Sequence, residues 1–239
     1  MITLAVDTSC LTATCAAVED GKVLAELSMQ HGKTHSQKLV PMLKAMLDML
    51  NKDFKAIDLY AAAIGPGSFT GLRIGVVTIK GLAYSLQKPV CGIPTLDALA
   101  YSMPDFEGLI APMLDARNNQ VFTALYQKKD NKLNKLTEDL GIPIEELIEQ
   151  FKTDGRDVLV LGDGVPLHLE KIKTALGDKI IEASPALAFP RASATALLAE
   201  EAFHKGKAVN AFELEPLYLR KSQAERMKDI SKAADALER

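Results

Sequence analysis

Gly65-Pro66-Gly67-Ser68-Phe69-Thr70-Gly71-Leu72-Arg73-Ile74-Gly75 stands between an apolar run, residues 57–64, and a run of helical period, residues 71–87. A glycine-rich turn between a strand and a helix can hold an anion on backbone N–H groups. The spacing fits no common phosphate motif. A P-loop has four residues between its glycines and then Lys with Ser or Thr; here five separate Gly65 from Gly71, and Leu72-Arg73 follow. The pattern G-x-G-x-x-G would need glycine at Thr70. An elbow G-x-S-x-G around Ser68 would need glycines at Pro66 and Thr70. Spacing alone leaves a ligand loop and a plain structural turn both open.

Working outward, residues 2–7 read as a buried strand, and residues 12–18 and 23–29 as two more joined by the hairpin turn Asp20-Gly21-Lys22. Residues 36–50 have helical periodicity, 89–93 form a short strand and 95–101 a short helix. The first hundred residues therefore read β-β-β-α-β-α-β-α. The second half repeats the order: a strand at 109–115, a paired strand at 120–127, a turn at 128–132, then helix 143–151, strand 157–161, helix 165–176, strand 180–182 and helix 192–205. Asp115 ends its first strand as Asp7 does in the first half, and Asp130-Asn131-Lys132 stands where Asp20-Gly21-Lys22 does, two residues later. The expected division is two α/β domains, 1–102 and 103–220, with a mixed-charge helix or tail at 221–239.

The chain has 239 residues, 28 Lys and Arg against 31 Asp and Glu, and a net charge of −3. That balance is globular and argues against a broad electrostatic grip on nucleic acid. Apolar runs fall far short of the roughly 18 residues of a membrane span, and residues 1–9 lack the basic start of a signal peptide. Cys10, Cys15 and Cys91 are odd in number and without C-x-x-C spacing, which fits a reducing cytoplasm.

Taken whole, residues 65–75 closely resemble the signature of the TsaB (YeaZ) family, bacterial proteins needed to make threonylcarbamoyladenosine in tRNA. Asp7-Thr8-Ser9, His35-Ser36, Leu114-Asp115-Ala116-Arg117 and Pro216-Leu217-Tyr218-Leu219-Arg220 carry the resemblance along the chain. One departure stands out: Gln120-Val121-Phe122 replaces the family's usual Glu-Val-Tyr. The resemblance implies two duplicated actin-like, sugar-kinase-like ATPase (ribonuclease H-like) domains. It implies a non-catalytic subunit that supports a TsaD-like transferase, joins a TsaE-like ATPase, touches tRNA only indirectly, and pairs with itself when alone. ATP or ADP and the metal are then expected in the partner subunits, with no intrinsic cofactor. Asp7, Thr8, Ser9, Gly65, Gly67, Ser68, Thr70, Gly71 and Arg73 become the possible nucleotide or anion site.

No residue is expected to be catalytic or to ligate a metal. The TsaD-like paralogue carries His-x-x-x-His on the helix after the next strand. Here the corresponding Gly92-Ile93-Pro94-Thr95-Leu96-Asp97-Ala98-Leu99 holds a lone Asp97, too few ligands for a catalytic metal. His31 and His35 are four apart but stand ahead of the helix; His168 and His204 are isolated and expected at the surface. Asp7 and Asp115 would flank a cleft or simply cap turns. The other readings are a stand-alone superfamily enzyme (a small-molecule kinase or metal-dependent hydrolase) and a nucleotide sensor without a transferase partner.

Both long helices of the first half carry surplus apolar surface. On a helical wheel, residues 36–50 give an apolar arc of about 220°, where a surface helix needs little more than about 100°. Residues 71–87 show two faces: Leu72, Val76, Ile79, Leu82, Ala83 and Leu86 on one, Ile74, Val77, Gly81 and Tyr84 nearly opposite. Met42, Ala45, Met46 and Met49 of the first helix join that second face in the expected partner surface, where flexible methionines suit more than one partner.

Overall fold

The computed structural model describes residues 1–31 and 34–220. The mixed-charge stretch 221–239 lies outside the described residues. The first half contains β1 (Ile2–Asp7), β2 (Ala13–Glu19), β3 (Lys22–Met29), α1 (His35–Met49), β4 (Leu59–Gly65), α2 (Phe69–Leu86), β5 (Val90–Pro94) and α3 (Thr95–Tyr101). β1 is buried along its whole length because β2 flanks it antiparallel and β4 parallel, while helices cover both faces. The sheet order is β3-β2-β1-β4-β5.

The second half holds β6 (Phe106–Asp115), β7 (Gln120–Thr123), β8 (Tyr126–Lys129), β9 (Lys132–Lys135), β10 (Leu140–Pro143), α4 (Ile144–Asp154), β11 (Val158–Leu161), α5 (Val165–Leu176), β12 (Ile180–Glu182) and α6 (Ala192–His204). Its order, β10-β7-β6-β11-β12, reproduces the first. The single strand expected at 120–127 is broken into β7 and β8, both paired with β6. β9 and β10 pair with β8 and β7 in turn, so they form one interrupted third strand. The expected turn at 128–132 shrinks to Asp130-Asn131. There φ is 51° and 58°, matching 47° and 79° at Asp20-Gly21; both hairpins use the left-handed conformation that suits strand twist.

α1 and α2 cover one face of the first sheet, and α4 and α5 one face of the second. Between the sheets the last helices are exchanged. α6, from the second half, packs Ala192, Ala194, Ala196 and Ala199 on the first sheet against Ala5, Ala16 and Ala61. α3, from the first half, packs Leu96, Leu99 and Ala100 on the second. Small side chains let α6 come close to its sheet.

Lys128 on β8 closes the end of α3. Its buried ammonium donates to the Tyr101 and Met103 carbonyls, both at 2.6 Å, and burial pulls its pKa down. Lys128→Met should leave both carbonyls without that donor and cost about 2 kcal/mol, read as a lower urea midpoint at unchanged slope.

Candidate functional site

The turns after β1 and β4 are packed into one another. Ser68 N donates to Ser9 O at 2.6 Å, and Thr8 Oγ1 donates to Gly71 O at 2.7 Å. A side chain at Gly67 would meet Ser9 O at 2.5 Å, one at Gly75 would meet Thr8 Oγ1 at 2.5 Å, and one at Gly71 would overlap Thr8 O. At Gly65 the obstacle is Leu217 O, 2.5 Å away. The side of each glycine where a side chain would stand is thus filled by the chain itself. The glycines of the expected anion site, Gly65, Gly67 and Gly71, thus serve internal packing on that side, and so does Thr8. Ser68 Oγ caps α2, accepting from Gly71 N at 3.2 Å, while the residue stays exposed at the cleft. Arg73 points along the surface, its Nε donating to Tyr218 OH at 2.9 Å and its guanidinium 4.0 Å over the Phe69 ring. Thr70 is exposed at the mouth.

Beside this packed corner lies a cleft of about 610 Å³ between the two halves, within the range of small-molecule sites. Ser9, His35 and Thr70 line it from the first half, and Asp115, Arg117 and Asp163 from the second. Asp7 sits fully buried at the end of β1. Its Oδ1 accepts from Ser9 N at 2.8 Å. Asp115 repeats the turn, its Oδ1 accepting from Arg117 N at 2.8 Å. Both aspartates therefore cap turns. Asp7 Oδ2, Ser9 Oγ and His35 Nδ1 are buried without a hydrogen-bond partner; His35 Nε2 lies 2.8 Å from Cys10 O.

Burial pushes the Asp7 carboxyl up to about 6 from an ordinary 3.8, against the opposing pull of Ser9. The folded state thus holds this proton more tightly than the unfolded chain. Stability from this group is greatest below pH 4 and falls as pH rises through about 6. Asp7→Asn, which keeps an oxygen for Ser9 N, should remove that slope. It should raise stability at pH 7 by about 2 kcal/mol, measured by urea unfolding at several pH values.

Asp163 was not legible in the sequence reading. It follows β11 in Gly162-Asp163-Gly164, the position that Gly65-Pro66-Gly67 holds after β4. Its Oδ1 accepts from Asp115 N at 3.0 Å, and burial raises its pKa. The duplicated strand order was the signal that could have found it. His168, expected at the surface, is buried on α5, and burial lowers its pKa. Asp97 is held by Tyr126 OH at 2.7 Å and Lys135 Nζ at 2.9 Å.

The expected partner surface divides. Met42 and Met46 belong to the first-sheet core, packed with Leu39, Leu43 and Val76. They are corrected as surface residues because α1 lies over β2 and turns them inward. Ile74 is half-buried against the same core. Ala45, Met49, Val77, Gly81 and Tyr84 face solvent, with Val77 and Met49 each 65% exposed. Nothing within 4 Å would obstruct a side chain at Gly81, so the fold itself does not require glycine there.

Residues 25–228 match the family model described as "TsaD: tRNA N6-adenosine threonylcarbamoyltransferase". The chain is 37% identical over 228 residues to the tRNA threonylcarbamoyladenosine biosynthesis protein TsaB of Bacillus subtilis, covering 94% of this chain and 96% of that protein. The Escherichia coli protein of the same name is 28% identical over 224 residues, covering 92% and 95%. Among solved structures, YeaZ from Pseudomonas aeruginosa superposes with a TM-score of 0.78 at 28% identity, covering 91% of this chain and 99% of that one.

Proposed function

The chain belongs to the TsaB family of tRNA threonylcarbamoyladenosine biosynthesis proteins, and from that premise we propose that it is the non-catalytic scaffold subunit of the machinery that forms this nucleoside. Its doubled sheet has the actin-like, sugar-kinase-like fold. In this reading a TsaD-like transferase brings the metal and the chemistry, and a TsaE-like ATPase joins the pair. The chain works in the cytoplasm and pairs with itself when the transferase is absent.

The observation that carries the reading is the bare apolar face of α2. Val77 and Tyr84, 65% and 54% exposed, flank Gly81 one helical turn from each. A helix already packed on its sheet through Leu72, Val76 and Ile79 does not need Val77 for its own fold, and Tyr84 has only an edge contact with the Phe212 ring. Exposed apolar surface of this kind marks contact with another chain. The engagement of Asp97 by Tyr126 and Lys135 supports the non-catalytic part, since that carboxylate is committed to linking α3 with β8 and β9.

Mass determination of the purified chain, alone and with a TsaD-like protein, tests the reading. A homodimer that exchanges for a mixed complex is expected. A chain that stays monomeric at micromolar concentration and ignores the TsaD-like protein would refute it. A second role for the cleft, binding a nucleotide, is favoured by Ser9 Oγ and His35 Nδ1, buried polar atoms left without a partner. Titration calorimetry with ADP, repeated on Ser9→Ala, tests that role; no measurable heat with the unaltered chain would remove it.

A further inference from the structure

After α6 the chain returns along the first half and then crosses to the second. Val209 and Val90 exchange backbone hydrogen bonds at 2.9 Å. Lys80 on α2 donates to the Phe212 and Leu214 carbonyls. Leu214 enters the first-sheet core, where a side chain at Gly92 would reach its Cδ1 at 2.9 Å. Leu217 N donates to Ile64 O at 2.7 Å, and its carbonyl fills the space at Gly65. Tyr218 stacks on Phe69 at 4.7 Å and accepts from Arg73. Leu219 then packs with the second-half cluster of Leu114 and Phe122, and Arg220 Nη1 donates to Ala116 O at 2.9 Å. Four consecutive residues, all lining the cleft, are therefore fastened to both halves.

We propose that Leu217–Arg220 is a clasp that sets the opening of the cleft between the two halves, with the Tyr218–Phe69–Arg73 stack as its releasable joint. The anchors differ in a way that assigns these roles. Leu214 and the Leu217–Ile64 bond are buried or backbone-made and hold the strap to the first half. Tyr218 is 41% exposed, and its side chain is held by a stacked ring, one exposed hydrogen bond and the nearby Arg73 guanidinium. Such a joint can part and re-form without unfolding a core. Once it parts, only Leu219 and Arg220 follow the second half. The clasp also gives Gly65 a reason independent of any ligand: the strap's carbonyl needs its space.

The test uses the full chain with spin labels at Lys55→Cys and Glu170→Cys, both exposed and on opposite halves; the native cysteines are buried. In Tyr218→Ala the inter-label distance distribution should broaden and move to longer distance. The Leu217 amide should exchange with solvent at least about tenfold faster, while the Leu109 amide, bonded to Asp157 O in the second half, keeps its rate. Tyr218→Phe, which keeps the ring, should fall between. An unmoved distance distribution would overturn the proposal, and so would equal acceleration at Leu109, which would mean general loss of stability. If Tyr218→Ala does not fold, the same readings on Arg73→Gln decide: a moved distribution supports the clasp and an unmoved one overturns it.

Discussion

Val77→Glu is expected to yield a folded, soluble chain that no longer associates with itself or with a TsaD-like protein. The position is 65% exposed on α2, so the new carboxylate stays in water in the isolated chain. Arg73 precedes it by four residues and Lys80 follows by three, spacings that favour opposite charge by about 0.3–0.5 kcal/mol. The stability of the single chain should therefore stay within about 0.5 kcal/mol. In a contact the same carboxylate must lose its water among apolar side chains. Affinity should fall by at least about 100-fold. Light scattering should report a monomer, and a TsaD-like bait should retain none of it. Val77→Ala, which removes area without adding charge, should weaken association far less. Unfolding of Val77→Glu would place the residue in the core, and unchanged association would place the contact elsewhere.

Gly71→Ala should cost about 4 kcal/mol, a large part of the roughly 5–15 kcal/mol that holds a domain together. The added methyl overlaps the Thr8 carbonyl oxygen, with Ser68 Cβ 3.2 Å away. No left-handed backbone is involved at this glycine, so the effect isolates close approach from conformational freedom. A flexible side chain could move aside, but Thr8 cannot. Its Oγ1 donates to Gly71 O, and the neighbouring Ser9 O accepts from Ser68 N. Urea unfolding measures the loss. Gly81→Ala, on the same helix with nothing near the new methyl, is the matched control and should stabilise slightly through helix propensity. Equal effects at the two positions would refute the packing account of the loop.

The element order was readable because it rests on local signals. Alternating and helical periods, the two Asp-led turns at residues 20 and 130, and glycines before α2 each act over a few residues. That was enough for the repeated order and for the resemblance carried by residues 65–75, but not for the interrupted third strand of the second half, β9 and β10, whose four-residue pieces are too short to show a period. Of the second apolar face of α2, Ile74, Val77, Gly81 and Tyr84, the last three were placed correctly by the polar positions that wall them off from Leu72, Val76 and Ile79, whereas Ile74 leans on the core. On α1 the apolar arc is a poorer guide to exposure. An apolar arc says how much surface is greasy, and the sheet decides how much of it is covered; β2 and its neighbours took Met42 and Met46.

The first hairpin, the glycine turn and the family were legible in the chain's local pattern. What the glycines pack against was not. Thr8, Ser9 and Leu217 occupy them, and Leu217 arrives from the far end of the chain. The tertiary structure decided this, and also that α3 and α6 trade sheets, that Asp163 meets Asp115, and that Tyr218 meets Arg73. The physical reason is common to all of these. Local pattern fixes the conformation of a segment and which of its faces is apolar. The partner of that face is chosen by packing among segments distant in sequence, and no period in the chain records it.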